Sequence, residues 1–395
     1  MSVKDPVWKY NWVRNHEPEI FQKVYKWLDV KDYLVARCTG NITRTVDSAF
    51  STFLYDTRKG KERWNLDLAR MYDVKPEHLP ILIQCSDEAG KLTSKAAKEL
   101  GLPEGLPVFG GGGDATLTGL GAGCSEVGQT HIYIGTSGWV STLMDHQAVD
   151  FISMITGVMA GTRGYYNYFA EMETAGKCLE WAKDHLALDE IGVYAREARM
   201  ADDLESGYIS LYDYLTKEAG QVPAGSNGVI FAPWLHGNRC PFEDSSAAGI
   251  FFNLKLDNGK RDMIRATLEG ICFHLRWMLE CETAKVKTSD RIRFVGGGAL
   301  SPVTCQMLAD ITGRVIETVE SPQDAGAVGA AALIALGMGV INSPEAAGKM
   351  ITVNAVYYPN SANKAVYDRN YRVFRKLYKN NAAAFQALNG ALEEK

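Results

Sequence analysis

The sequence predicts an α/β protein of two domains, and three observations support that fold class. Helical and strand-like segments alternate along the chain, as in folds whose sheets are covered by helices. The 395 residues are more than one ordinary core accommodates, so two domains are expected. Strand-like runs enter glycine-rich turns within residues 108–113, 131–138 and 291–298. Such turns are typical of proteins whose backbone closely approaches an anionic ligand.

The composition argues against several classes of protein. Hydrophobic residues make up 46% of the chain and charged residues 23%, as in soluble globular proteins. The net charge of −5 comes without a basic stripe, so no nucleic-acid partner is expected. The longest apolar runs, such as 330–336, are too short to cross a bilayer, so no membrane partner is expected either. Eight cysteines without a CxxC motif indicate reduced thiols in a cytoplasmic protein, and the dispersed histidines predict no metal held by the protein.

The first part of the chain is predicted to be rich in helix. Helical spacing of apolar residues is found from Trp8 to Leu34, and shorter helices are predicted at Leu66–Tyr72 and Ser94–Leu100. Thr93 is the expected N-cap of the last of these helices. Residues 41–57 are interpreted as surface loops and short helices. This part ends in a strand at Val108 that enters the first glycine turn.

Strands and helices alternate more regularly after Gly138. Strands are predicted at 139–142, 157–160, 165–169, 228–231, 291–295 and 315–317, and helices at 174–185, 261–284, 302–311, 324–337 and from 365 onward. Apolar residues on one face make 261–284 the clearest helix of the chain.

Asp114 follows four consecutive glycines and is a candidate general base, because a carboxylate at such a turn can accept a proton from a bound hydroxyl. The alternative is a solvated aspartate after a tight turn in a packed sheet. The chain contains no Rossmann glycine motif, no P-loop and no protein-kinase motif set. Three strand–glycine breaks instead favour an actin-like ATP cleft between two domains.

Six motifs are spread along nearly the whole chain: Trp12–Pro18, Lys31–Leu34 with Thr39-Gly40, Gly111–Asp114, Gly135–Ser137, Phe294–Asp310 and Asp324–Ala331. Together they resemble the motifs of the FGGY carbohydrate kinases, close to the xylulokinase branch. The resemblance implies a two-domain actin-like ATPase (ribonuclease H-like) fold, with an N-terminal sugar-binding domain at 1–123 and a C-terminal nucleotide-binding domain at 124–395. It also implies phosphoryl transfer from ATP to a ketose or polyol, with D-xylulose as the leading candidate.

The same resemblance implies roles for individual residues. Asp114 would be the general base and would contact the sugar. The ATP-binding residues would be Gly135, Thr136 and Ser137 at the phosphates, and Gly297, Gly298 and Gln306 near the adenosine. The alternative for Thr136 and Ser137 is simple capping of the turn. Mg²⁺ would arrive with ATP, and a homodimer is compatible with the resemblance.

One departure from the family leads to a further expectation. The family's N-terminal lobe begins with a D-x-G-T hairpin that grips phosphate and metal, and no segment here resembles it. We therefore expect an incomplete first domain, in which the apolar face at Trp8 and Trp12 and the strand at Val108 lack sheet partners. A truncated product is favoured over a lobe supplied by a separate chain or decay to a silent ATP- or sugar-binding protein. Little kinase activity is then expected of this chain alone.

Overall fold

The computed structural model of the protein describes residues 5–58, 60–187 and 211–390, and its N-terminal part is rich in short helices. The helices are α1 (Pro6–His16), α2 (Pro18–Phe21), α3 (Val30–Thr39), α4 (Val46–Phe50), α5 (Leu66–Met71), α6 (Ser94–Leu100) and α7 (Asp114–Gly121). The strands are β1 (Thr43–Thr45), β2 (Tyr55–Asp56), β3 (Arg63–Trp64), β4 (Ile81–Ile83), β5 (Glu88–Lys91) and β6 (Pro107–Phe109). They pair as β1 with β4 in parallel, and as β2 with β3 and β5 with β6 in antiparallel.

Two sequence predictions for this part need correction. The long helical pattern from Trp8 to Leu34 is divided into α1, α2 and the beginning of α3, and a new helix starts at Pro18 because proline fits the first turn. Residues 41–57 contain β1 and β2, which were not predicted. Strands of two or three residues carry too few side chains to show alternation.

Of the segments that were expected to lack sheet partners, the strand at Val108 has one, and Trp8 packs against an aromatic ring. Val108 pairs with Gly90 across the β5–β6 ladder. Trp8 packs edge-on against Tyr72 at 5.7 Å between ring centroids, although Trp12 stays 54% exposed. A small apolar cluster beside Tyr72 consists of buried side chains: Val7, Tyr10, Phe21, Leu54, Ala69, Val74 and Leu79. The segment from residue 7 to residue 79 therefore has a small apolar core of its own.

The C-terminal part is organised around a mixed sheet. Within the described residues this sheet has eight strands, in the order β16-β15-β14-β7-β8-β11-β10-β9. Their bounds are β7 (Thr130–Ile134), β8 (Gly138–Met144), β9 (Val149–Asp150), β10 (Ile155–Met159), β11 (Tyr166–Met172), β14 (Arg291–Val295), β15 (Val315–Val319) and β16 (Val353–Tyr357). β14 runs parallel to both β7 and β15, and the remaining pairs are antiparallel. A separate hairpin-like pair joins β12 (Ile230–Ala232) to β13 (Ile250–Phe252).

Helices cover both faces of this sheet. They are α8 (Gly176–Leu186), α9 (Leu211–Gly220), α10 (Lys260–Thr283), α11 (Pro302–Thr312), α12 (Ala325–Gly337), α13 (Pro344–Lys349) and α14 (Ser361–Asn389). The predictions at 261–284, 291–295 and 324–337 are confirmed to within a residue at each end. The described residues contain no helix with the length and apolar composition that crossing a bilayer requires.

The side chains of β7 alternate between two different environments. Ile132 and Ile134 point into the main core, where α10 packs and where Phe231, Trp234 and Phe273 are buried. His131 and Tyr133 point to the opposite face, where α7 and α12 lie close together. This alternation places the C-terminal end of β7 between the core and α7, the helix that starts at Asp114.

Candidate active site

Two of the three predicted glycine turns meet in one cavity of about 450 Å³ in the C-terminal part of the protein. One wall is the β7–β8 turn with Gly135 and Thr136, and another is the turn after β14 with Gly297 and Gly298. β7 and β14 are neighbouring parallel strands, so their carboxyl ends lie at the same edge of the sheet. The topology thus brings together residues that lie about 160 positions apart in the sequence.

The β7–β8 turn is held rigidly from both sides. The Gly135 N–H donates to the carbonyl of Ser137 at 2.9 Å, and the Gly135 carbonyl accepts from the Gly176 N–H at 2.8 Å. A Cβ on Gly135 would overlap the phenol of Tyr133, whose ring stacks on Trp139 at 3.8 Å. A side chain at position 135 would therefore require the Tyr133 ring to move. Because the Gly135 N–H is already used inside the turn, this residue gives a ligand close access to backbone rather than a free donor.

The turn after β14 begins with Gly296 at a φ of 87°, a conformation that favours glycine. Gly298 packs directly on Ile134, since a Cβ at this position would lie 2.7 Å from the Ile134 Cβ. A Cβ on Gly297 would have no protein atom within 4 Å. The next residues enter α11, whose N-cap Ser301 accepts a hydrogen bond from the Thr304 N–H. The two glycines therefore differ: one is packed against protein and the other faces open space.

Two residues predicted to contact ATP are not brought to the cavity. Ser137 takes part in the β7–β8 turn through its carbonyl but is not among the residues that line the cavity. The Gln306 amide donates to the Asp310 carboxylate at 2.7 Å and to the Tyr358 carbonyl at 2.8 Å. These bonds hold Gln306 on the side of α11 that faces α14, and Gln306 is not among the residues that line the cavity. Its place near the adenosine stays a prediction.

Further cavity walls come from residues that the sequence analysis did not identify. Lys177 and Glu180, on the first turns of α8, form an ion pair of 2.8 Å beside Thr136. Thr216 of α9 contributes a hydroxyl. The cavity floor is apolar and is formed by the buried Leu268, Ile271 and Cys272 of α10, and the exposed Leu300 also lines the cavity. An apolar floor with a polar rim near glycine turns suits a ligand with a flat ring and a charged tail. The sequence contains one signal that could have identified Lys177 as a cavity residue: it directly follows Gly176, the first residue of α8.

Asp114 is exposed at the beginning of α7, outside the cavity lining. One of its oxygens accepts a hydrogen bond from the Ala115 N–H at 2.8 Å. The charge of Asp114 also acts on Tyr133 in β7. The pKa of Tyr133 is raised first by burial and then by the Asp114 carboxylate. Tyr133 also touches Gly135, so one side chain lies close to both the acid and the cavity turn.

A charged group lies on the same side of the sheet as Asp114. The Arg239 guanidinium pairs with Glu171 at 2.5 Å and with Glu173 at 2.6 Å. Burial raises the pKa of Glu171; Arg239 opposes this shift, while Glu173 and Asp114 add to it. The region around Asp114 therefore combines several acids with one arginine. Among the described residues, no group of three or more histidine, cysteine or acidic side chains could hold a metal.

Comparison with known proteins identifies relatives along nearly the whole chain. A xylulose kinase of Bacillus subtilis (strain 168) is 30% identical over 387 residues, which cover 98% of this chain and 72% of the relative. A gluconokinase of the same strain is 29% identical over 350 residues, covering 88% of this chain and 65% of the relative. The crystal structure of ligand-bound xylulose kinase from Lactobacillus acidophilus superposes with a TM-score of 0.85 at 24% identity, over 98% of this chain and 74% of that one.

These comparisons correct the expectation of an incomplete first domain. Residues 1–121 match the N-terminal domain of the FGGY family of carbohydrate kinases, so the absence of this lobe is not supported. The superposed structure covers 98% of the chain, and the fold is the actin-like α/β fold of sugar kinases. The expectations of truncation and of low activity likewise lack support. The boundary between residues 123 and 124 stays a prediction.

Residues 131–338 match the C-terminal domain of the same family, and this match alone includes both glycine turns of the cavity. The two domain matches follow one another along the chain in the order expected from the sequence motifs. The Bacillus subtilis xylulose kinase is 30% identical to this chain, and the match covers 72% of its length. The assignment to a family therefore does not depend on single motifs. The chain belongs to the FGGY family of carbohydrate kinases.

Proposed function

We propose that this carbohydrate kinase transfers the γ-phosphoryl group of ATP to a hydroxyl of a ketose or polyol, with D-xylulose as the first substrate to test. One observation carries the proposal: the glycine turns at Gly135 and Gly297 line a single cavity, and the exposed carboxylate of Asp114 lies near Tyr133, which touches that cavity's turn. The xylulose kinase and gluconokinase names of the relatives support a sugar acceptor.

The cavity is the proposed nucleotide site. Its apolar floor at Leu268 and Ile271 suits a nucleobase, and the bare backbone at Gly297 leaves room for the ring or the ribose. Thr136 supplies a hydroxyl for the phosphates, and Lys177 lies beside it on the first turn of α8. Mg²⁺ would be bound as part of the ATP substrate, where it would supply partial neutralisation of the phosphate charge.

Asp114 is the proposed general base. Its carboxylate accepts hydrogen bonds and can orient the attacking sugar hydroxyl. As the new oxygen–phosphorus bond forms and the bond to the leaving ADP breaks, the hydroxyl proton passes to Asp114. The exposure of Asp114 leaves its side chain accessible to a substrate that enters from solvent.

The test is ADP release, measured by a coupled assay with D-xylulose, other ketoses, gluconate and glycerol. We expect turnover with at least one of these substrates and the highest kcat/KM with D-xylulose. Asp114→Asn should lower kcat by at least about a thousandfold, because both the proton acceptor and its charge are lost. The nucleotide Kd of this variant should stay within about twofold, since Asp114 lies outside the cavity lining. Retained turnover in Asp114→Asn would remove the base assignment, and no turnover with any sugar would refute the proposed function.

A further inference from the structure

Asp47 is a buried acid that bonds directly to the glycine turn ahead of Asp114. It belongs to the first turn of α4 and is 9% exposed. One carboxylate oxygen accepts the Gly113 N–H at 2.9 Å. The other oxygen accepts the Thr45 hydroxyl at 2.5 Å and the Cys85 thiol at 3.3 Å. Asp47 therefore uses both oxygens within the protein.

The thiol partner is a stable donor. Burial first, and then the charge of Asp47, raise the pKa of Cys85, so the thiol keeps its proton at neutral pH. The backbone of Cys85 contacts the glycine turn as well: its carbonyl accepts a hydrogen bond from the Gly111 N–H at 2.9 Å. The segment after β4 thus holds the glycine turn at one point through backbone and at another through Asp47.

Lys31 braces the other end of the same turn. Its ammonium group donates to the Thr45 hydroxyl at 2.7 Å and to the Gly110 carbonyl at 3.2 Å. It also pairs with the buried Asp32 at 2.8 Å. The Thr45 hydroxyl accepts from Lys31 and donates to Asp47, so a continuous chain of bonds links the cation to the anion. Lys31 fixes the first glycine of the turn, and Asp47 fixes the last.

The position of Asp114 depends on this turn. Gly113 is the N-cap of α7, and Asp114 is its first residue. Glycine backbone has no side chain to restrict it, and Gly111 adopts a φ of 69°. Without outside contacts such a turn samples many conformations, whereas hydrogen bonds to buried charged groups are strong and directional.

We propose that Asp47 is a positioning residue for phosphoryl transfer: by binding the Gly113 N–H it holds the start of α7, and with it the Asp114 carboxylate, in reach of the sugar hydroxyl. Lys31 and Thr45 hold Asp47 in turn. This inference rests on the proposed function, in which Asp114 is the base. Asp47 itself acts through the backbone and touches no substrate in this mechanism.

The test compares Asp47→Asn with wild type in the full chain. The amide of asparagine offers one acceptor oxygen for three donors, so the bond to Gly113 is weakened. We expect kcat with the best sugar substrate to fall by about 10- to 100-fold, because a misplacement of about 1 Å can lower a rate by this factor. The KM for ATP should change less than about twofold, since the cavity residues are untouched. Amide hydrogen exchange in a peptide covering 110–116 should become faster.

Two further variants complete the experiment. Asp67→Asn is the matched control, because Asp67 lies in the same domain with its side chain 90% exposed and should match wild type in all three readouts. Thr45→Val removes the link between Lys31 and Asp47 while keeping the shape of the side chain. It should lower kcat by a smaller factor than Asp47→Asn, and it decides the question if Asp47→Asn does not fold.

The outcomes separate this inference from the proposed function. Unchanged kcat and unchanged exchange at 110–116 in a folded Asp47→Asn variant would overturn the positioning role. An equal loss in kcat and in nucleotide affinity would also overturn it, since that pattern indicates general damage. If wild type phosphorylates no sugar, the proposed function fails. The exchange readout then still decides whether Asp47 holds the turn.

Discussion

Gly297 and Gly298 are adjacent in the sequence but are glycines for different reasons. Gly298 leaves no space for a side chain, because its Cβ would lie 2.7 Å from the Ile134 Cβ and 2.8 Å from its Cγ2. Gly297 has open space next to it and lines the cavity. A substitution at Gly298 therefore disturbs the protein core first, whereas one at Gly297 acts first on the ligand.

This difference gives a paired prediction. Gly298→Ala should lower the free energy of unfolding by about 1–3 kcal/mol, because the added methyl group forces β7 and the turn apart. Gly297→Ala should leave the unfolding free energy within about 0.5 kcal/mol of wild type, yet weaken ATP binding by about tenfold. Urea denaturation and isothermal titration with ATP measure the two quantities. Equal effects of both variants on ATP affinity, with no difference in stability, would contradict this distinction.

At the scale of single residues, sequence reasoning located the turns that line the cavity, because local chain geometry marks them. The glycines at 135, 297 and 298 lie in turns that follow apolar strands, and their role in binding ATP stays a prediction. The hydrogen bond from Gln306 to the Tyr358 carbonyl was not predicted, because the two residues lie 52 positions apart and the local sequence does not indicate their contact. Asp47 was missed for the same reason, since the Gly113 N–H that it binds is 66 positions distant.

At the scale of elements, α7 and α12 pack closely through glycines. A Cβ on Gly329 would overlap the Leu117 carbonyl, and a Cβ on Gly121 would overlap the Ala325 carbonyl. The two backbones can approach each other so closely only where side chains are absent. Because α7 begins with Asp114, this contact also sets where the proposed base lies relative to the sheet.

We expect Gly329→Ala to destabilise the protein by about 3 kcal/mol or more, since the methyl group meets backbone that cannot rotate away. Gly326→Ala is the matched control in the same helix. Its Cβ would find only the Thr118 hydroxyl, at 3.8 Å, so its stability should equal or slightly exceed that of wild type. Urea denaturation of both variants tests this expectation. Similar unfolding free energies for the two would show that the close helix contact is not required.

The elements themselves were predictable to different degrees. Long helices and five-residue buried strands, such as α10 and β14, carry enough apolar residues to reveal their period. The short strands β1 and β4 lie in separate segments and form a parallel pair only through the tertiary fold. The alanine- and glycine-rich sequence of α12 permits close packing against another helix, but the identity of that partner could not be read from the sequence. Pairing between distant segments is decided by the whole fold.

At the scale of the whole molecule, burial determines which titratable groups carry charge. His131 accepts a hydrogen bond from the Trp139 indole at 3.0 Å, and burial lowers its pKa to about 4. His274 is equally buried, and its pKa is lowered to about 4 as well. Both stay neutral at physiological pH and hold aromatic side chains in place, so neither is suited to proton transfer in the proposed reaction.

Glu282 is the opposite case among these buried groups. It lies on α10 under the sheet and accepts the Thr142 hydroxyl at 2.6 Å. Burial raises its pKa from 4.5 to about 8, with the bond from Thr142 opposing the shift. The folded protein therefore keeps a proton on Glu282 that the unfolded chain releases above pH 4.5. The contribution of Glu282 to the unfolding free energy is therefore fully present below pH 4.5 and is lost as the pH rises toward 8.

The pH dependence of stability should therefore change in Glu282→Gln. Between pH 6 and 7 the folded wild-type protein binds about one proton more than the unfolded chain, so its unfolding free energy should fall by about 1.4 kcal/mol per pH unit from this group. Near pH 8 the slope should be about half as steep, because Glu282 is then half ionised in the folded protein. Glutamine keeps the shape and the acceptor oxygen for Thr142 but cannot ionise, so the variant should lack this loss. The titration of His131 and His274 affects both proteins equally and cancels in the difference between them. Urea denaturation at pH 6, 7 and 8 measures that difference, with the exposed Glu19→Gln as control. Parallel stability curves for wild type and Glu282→Gln would mean that Glu282 is already ionised in the folded protein.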